Sequence, residues 1–198
     1  LLVHVTHFNR LMWDSGRTPT RVVEHGVLVD ENIRYDGRLS RGIAVVNQLA
    51  KRGRRLGADV FARMREEVPL DLVGMESIAS GGLGEIRNPE LPAFLARYRF
   101  YFHPVRWTSL GLSLIEAMSV GLPVVGLATT ELAAVVRDGE SGFIDTDLDR
   151  LARSMRQLLA YPKEAQRMGE EARRLARRRF GIGRFVDDWL AVFGEATR

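Results

Sequence analysis

The residue in this sequence with the most chemical potential is Glu116, the single charge in an otherwise apolar run, Leu110–Val120 (LGLSLIEAMSV). An ionised carboxylate in such company needs a partner to offset its desolvation. Ser113 and Ser119, three residues to either side, supply the only other polar atoms on its stripe. Two partners are open: a structural arginine such as Arg106, or a ligand diol such as ribose, whose hydroxyls would donate to the carboxylate. Just upstream, Arg106-Trp107-Thr108-Ser109-Leu110-Gly111 leads into the same run. A glycine-containing turn that opens a buried helix presents backbone N–H groups and the positive end of the helix dipole to a phosphate. The plainer alternative is an ordinary turn with Ser109 as N-cap. A second group is Asn47 with Lys51, Arg52 and Gly53, where cations could neutralise a diphosphate leaving group. The run Lys51–Arg55 (KRGRR) is equally readable as solvated surface. His7 closes the first apolar run, beside Thr6 and Asn9.

Other chemistries are poorly supplied. His4, His7, His25 and His103 are scattered, with no carboxylate pair at ligand spacing, so no metal centre is expected. Gly81, Gly82 and Gly84 fit neither the dinucleotide nor the P-loop spacing. There are no cysteines, which removes disulfides and thiolate chemistry.

These residues need a scaffold, and the hydrophobic pattern supplies one. Strands are expected at Leu1–Val5, at Thr20–Val29 with a break at Gly26, and at Ile43–Val46, Leu70–Val73, Phe100–Val105, Pro123–Ala128 and Phe143–Ile144. Helices are expected at Lys51–Glu67, Glu90–Tyr98 with Asn88 as N-cap and Pro89 first, Leu110–Val120, Glu131–Arg137, and from Asp147 to the end. Ser77–Gly84 reads as a loop beside a minimal strand near Ile86. Strands alternating with helices predict an α/β fold, a Rossmann-like parallel sheet with helices on both faces and a helical C-terminus. Ligands in such folds sit at the carboxyl ends of the strands, where the turns after Val46, Val73, Val105 and Ala128 would meet.

With 198 residues and 45% hydrophobic content the chain can bury one full α/β domain with material to spare. No apolar run is long enough to span a membrane, and no signal-peptide pattern opens the chain. The chain opens on leucine inside a strand, and is expected to be a fragment lacking its true N-terminus. The 29 basic and 25 acidic residues leave a net charge of +4, which permits an anionic ligand without demanding one. Arg173, Arg174, Arg177, Arg178 and Arg179 are expected on the wet face of a helix, with an anionic membrane surface as a candidate contact. No aromatics interleave with them, so no nucleic-acid partner is expected.

The segment from Pro104 to Gly142, with LIEAMSVGLPVVG and RDGESGF at its heart, resembles the retaining glycosyltransferases of the GT-B fold, family 4, in their nucleotide-sugar-binding domain. The resemblance implies a Glu-x7-Glu motif whose second Glu is Glu116, the holder of the ribose hydroxyls, and whose first falls on Thr108. It aligns the family's diphosphate-binding Arg and Lys with Asn47 and Arg52. The Gly-Gly and Glu that precede the Asp-Gly-Glu turn align with Thr130, Glu131 and Ala134. VHVTHFN resembles the strand whose final histidine lies by the donor sugar, here His7. PTRVVEHGV resembles the strand entering the interdomain linker.

The implied division is residues 1–29 as a remnant of the N-terminal domain, 30–41 as linker, 42–180 as the nucleotide-sugar-binding domain, and 181–198 as a helix returning to the N-terminal domain. His7 and Arg52 are then the catalytic candidates. Asn47, Thr108, Ser109, Leu110, Gly111, Leu112 and Glu116 are the donor-binding ones. The implied activity is sugar transfer from a nucleotide sugar to a glycan, lipid or small-molecule hydroxyl, with retention, no metal and no cofactor, in the cytoplasm or at the inner membrane face. The alternatives are a nucleotide-sugar epimerase of the same architecture and a degenerate, non-catalytic nucleotide-binding domain.

Overall fold

The computed structural model describes residues 1–197; Arg198, the end of the expected C-terminal segment, lies outside the described residues. A short N-terminal unit holds β1 (Leu2–His4), α1 (His7–Met12) and β2 (Thr20–Val22), the two strands pairing in parallel. The main sheet holds β3 (Leu39–Val45), β4 (Leu70–Val73), β5 (Tyr98–His103), β6 (Val124–Leu127) and β7 (Gly142–Asp145). Its order is β4-β3-β5-β6-β7 and every pair is parallel. The chain therefore crosses from β4 back over β3 to β5, and the strand order reverses between β3 and β5. Loops leaving two such strands diverge and open a crevice at their carboxyl ends.

Nine helices accompany the strands: α1, then α2 (Leu49–Arg52), α3 (Ala58–Glu67), α4 (Leu91–Leu95), α5 (Leu112–Val120), α6 (Leu132–Val135), α7 (Leu148–Ala160), α8 (Pro162–Phe180) and α9 (Ile182–Ala196), counted among the described residues. The sheet is buried on both faces, as parallel sheets must be. On one face Tyr101 packs with Leu114, Ile115 and Met118 of α5 and with Ala172 and Ala176 of α8. On the other, Phe100 and Phe102 pack with Phe61 and Met64 of α3 and Leu151 and Met155 of α7.

The differences from the sequence reading have local causes. The helix expected over Lys51–Glu67 is divided into α2, a 3-10 turn at Gly53–Leu56, and α3. Gly53 and Gly57 take φ of +54° and +77°, and a Cβ on Gly57 would lie 2.0 Å from the Pro104 carbonyl oxygen. That loop contact requires glycine there and so interrupts the helix. β3 begins at Leu39, inside the expected linker, with an irregular register between Leu39 and Gly42 that polar Ser40 and Arg41 disguise. Asn88 caps no helix with its side chain; Asn88–Glu90 is a single 3-10 turn ahead of the short α4, and β5 begins already at Tyr98. Ile86 lies outside any strand. Residues 7–12, left without an element in the sequence reading, form α1, with Thr6 accepting from the Asn9 N–H as N-cap. The arginines of α8 do not share one wet face. Arg173 is buried and donates to the Glu31 carbonyl, Arg179 is engaged in ion pairs, and Arg174 and Arg178 are exposed.

Candidate functional site

α5 is apolar nearly all round, so it is buried between the sheet and α8. Its seat is set by two glycines: a Cβ on Gly169 would fall 1.9 Å from the Gly121 carbonyl oxygen, so the helices approach backbone to backbone. The N-cap is Gly111, with extended backbone (φ −74°, ψ 134°) and no side-chain cap. Ser109 does not cap this helix. The first-turn N–H groups are left to whatever occupies the space in front of them.

That space is a cavity of about 410 Å³ at the β3–β5 reversal. Val45, Asn47, Val73 and Gly74 from the ends of β3 and β4 form one wall. Glu85, Ile86 and Asn88 from the β4–α4 connection and Leu91 of α4 form a second, and Gly111 with Leu112, Ser113 and Glu116 of α5 the third. Glu116 is 8% exposed, and its Oε1 accepts from the Asn88 side-chain amide at 3.3 Å. Burial pushes its pKa above the ordinary carboxylate value, and the Asn88 hydrogen bond opposes the shift. Arg106 is not its partner. That guanidinium donates to Asp59 at 2.5 and 2.8 Å and to the Arg54 carbonyl at 2.9 Å, and holds Asp59 below its usual range.

Around Glu116 the cavity is braced. Ser113 Oγ lies 3.0 Å from Tyr101 Oη, at the buried face of α5. His103, the last residue of β5, is 4% exposed and pushed down to about 4 by burial, so a neutral imidazole lies beneath Gly111. Asn47 Oδ1 accepts from the Met75 N–H at 2.9 Å, tying the loops after β3 and β4 together. Gly74, at φ +134°, permits that approach, since a Cβ there would meet the Val46 carbonyl oxygen at 2.6 Å.

Of the residues singled out in the sequence, Asn47, Gly111, Leu112 and Glu116 meet at the cavity. Thr108, Ser109 and Leu110 lie in the loop just before it, Leu110 buried in the core. Arg52 is exposed at the end of α2, and His7 is exposed at the start of α1; neither lines the cavity. Asn88, Glu85 and Ile86 were not anticipated as lining residues. The available signal was topological: the chain following the Ser77–Gly84 loop must return across the strand ends to reach β5.

Among the described residues no lysine or arginine lines this cavity, while two carboxylates, Glu85 and Glu116, do. Such a surface suits the hydroxyl and N–H donors of a nucleoside. An attached anion would be received by the uncapped backbone at the start of α5. No group of side chains suited to a metal ion occurs among the described residues.

Residues 82–175 match the family described as glycosyl transferases group 1. Over 127 residues, 63% of this chain, the sequence is 31% identical to an MMP alpha-(1->4)-mannosyltransferase of Mycolicibacterium hassiacum, covering 31% of that protein. The chain spans less than a third of the length of the curated relatives it matches. Among solved structures it superposes on a sucrose-phosphate synthase from Thermosynechococcus elongatus with a TM-score of 0.82 at 20% identity, over 98% of this chain and 58% of that one. Anabaena HepE, solved in complex with UDP-glucose, gives a TM-score of 0.77 at 16% identity, over 98% and 64%. Residues 82–175 are thus similar to the glycosyl transferases group 1 family, and the chain carries an α/β fold of the GT-B type.

Proposed function

We propose that this chain is the donor-binding portion of a glycosyltransferase that moves a sugar from a nucleotide sugar to an acceptor hydroxyl, with retention of anomeric configuration and without a metal ion. The observation that carries the reading is Glu116: a buried carboxylate with no cation beside it among the described residues, opening into a nucleoside-sized cavity next to an uncapped helix N-terminus. The family match and the UDP-glucose complex of HepE support the same reading.

In this scheme the ribose diol donates to Glu116, which Asn88 holds in place, and the diphosphate lies along the backbone of Gly111, Leu112 and Ser113. Asn47 lines the cavity, and Arg52, exposed at the end of α2, would turn toward the diphosphate to supply positive charge. Thr108 and His7, whose neighbours Trp107 and Phe8 are in contact, face the sugar together. The acceptor hydroxyl attacks from the leaving-group face and passes its proton to a donor phosphate oxygen. The protein's contribution is positioning and stabilisation of charge developing on the diphosphate. The acceptor is a glycan, lipid or small molecule, met in the cytoplasm or at the inner membrane face, where Arg174 and Arg178 are available to anionic headgroups.

A second reading, nucleotide binding without transfer, is favoured by one observation, the absence of any lining cation among the described residues. The complete protein incubated with a panel of nucleotide sugars and acceptors decides between the two. Release of nucleoside diphosphate coupled to glycosylated product supports transfer, and tight nucleotide binding with no release removes it.

A further inference from the structure

The N-terminal unit touches the five-stranded domain through Phe8, and the polar half of that contact is made by Glu131, a residue the donor cavity does not include. Glu131 is 2% exposed. Its Oε2 accepts the Phe8 backbone N–H at 2.9 Å, and its Oε1 accepts from Arg179 Nη2 at 3.1 Å. Arg179 also donates to the Glu24 carboxylate at 2.5 to 3.0 Å and to the Ala134 carbonyl at 2.8 Å. Arg184 in turn donates to the carbonyls of Glu24 and His25, both at 2.8 Å. The Phe8 ring meets Trp107 edge to face, centroids 5.3 Å apart, and Trp107 adjoins Thr108 in the loop that leads to α5.

We propose that Glu131 is a positioning residue that sets α1, and with it His7, against the mouth of the donor cavity, anchored from behind by Arg179 and Glu24. The inference rests on the donor-site reading above. Arg179 is already satisfied by Glu24 and the Ala134 carbonyl, so the five-stranded domain does not need Glu131 for its own ion pairing. What Glu131 adds is a reach to the N-terminal unit. Both carboxylate oxygens are engaged and buried, and a shift of α1 would leave one of them unpaired, which makes the docked arrangement discrete. Thr130, immediately before it, sits at φ +50°, a region β-branched residues avoid. Such strain persists where the surroundings hold it, and clusters at functional sites. The strained residue here is the one that delivers Glu131 to its two partners.

The test uses the complete protein with Glu131→Ala, which removes both contacts, and Glu131→Gln, whose amide oxygen still accepts from Phe8. UDP affinity, read by calorimetry, is expected to stay within about 2-fold of wild type, since Glu131 lies outside the cavity. Amide exchange at Phe8 is expected to accelerate about 10-fold in the alanine variant and less in the glutamine one. The turnover number for transfer is expected to fall about 100-fold in Glu131→Ala at unchanged donor KM, with partial rescue in Glu131→Gln. Unchanged exchange at Phe8 overturns the proposal. UDP affinity lost in parallel with turnover also overturns it, because Glu131 would then be supporting the whole domain. If the alanine variant does not fold, the glutamine variant carries the same three measurements. A wild type inactive with every donor would strike at the proposed activity, while Phe8 exchange still decides the docking role.

Discussion

Glu116 joins two properties that pull against each other. Burial raises its pKa, so folding favours the protonated form, and the charged form is retained at some loss of stability. For a carboxyl group raised by folding, the stabilising contribution is complete below its unfolded pKa and is lost as pH rises through the folded value. Glu116→Gln should therefore raise stability at neutral pH by roughly 0.5–2 kcal/mol, with the gain vanishing toward pH 4; urea melts at the two pH values check both. Binding runs the other way. In the proposed donor site, ribose hydroxyls donate to the ionised carboxylate, so nucleoside diphosphate affinity should fall on acidification, beginning above the ordinary glutamate range. Calorimetry with UDP and with its 2′,3′-dideoxy analogue separates the cases. In Glu116→Ala only UDP should weaken, by about 10-fold or more, and on acidification UDP should weaken more than the analogue, whose diphosphate takes up the same proton. Equal losses for both ligands would make Glu116 structural.

At the scale of elements, the seat of α5 decides whether Glu116 is aimed correctly, and Gly169 of α8 packs directly against the Gly121 carbonyl at the end of α5. A methyl group there has no space beside the Gly121 carbonyl, so Gly169→Ala should destabilise by about 1–3 kcal/mol, visible as a lower urea midpoint at unchanged slope. Asn88 acts from the facing connection. Asn88→Ala removes a hydrogen bond that opposes the burial-driven pKa shift of Glu116, and should weaken UDP binding about 5-fold while leaving the urea midpoint near wild type. The hydrophobic runs foretold the five strands of the main sheet and α5, because burial on both sheet faces leaves a continuous apolar signature, whereas the expected strand Thr20–Val29 forms only over Thr20–Val22. The α2–α3 break was hidden because Gly53 and Gly57 answer to a loop, residues 104 onward, far away in sequence. The partner of Glu116 was hidden for a related reason. Asn88 beside Pro89 has the local pattern of a helix start, and only the return of the chain across the strand ends turns its side chain toward α5.

Over the whole molecule the cohesion is uneven. The five-stranded sheet carries fully buried Tyr101, Phe100 and Phe102 at its centre and helices on both faces. The N-terminal unit has strands of three residues, its buried side chains are few, and Leu11 and Trp13 stand 80% and 69% exposed. Its tie to α9, Arg21 with Glu195, is half-exposed on both sides and contributes little. Opening should therefore be local and should begin there. In native-state hydrogen exchange, the amides of Leu2 and Val23, bonded to Pro19 and His4, should exchange at least about 100-fold faster than those of Tyr101 and Val46, bonded to Pro123 and Val73. On the proposed reading, added UDP should slow exchange at Leu112 and Ser113 at the cavity wall and leave Leu2 unchanged, because every residue lining the cavity belongs to the five-stranded domain. Protection of Leu2 equal to that of Tyr101 would mean that the two units open as one. His7 would then be held by the global fold, and the docking contact at Glu131 would have no separate equilibrium to control.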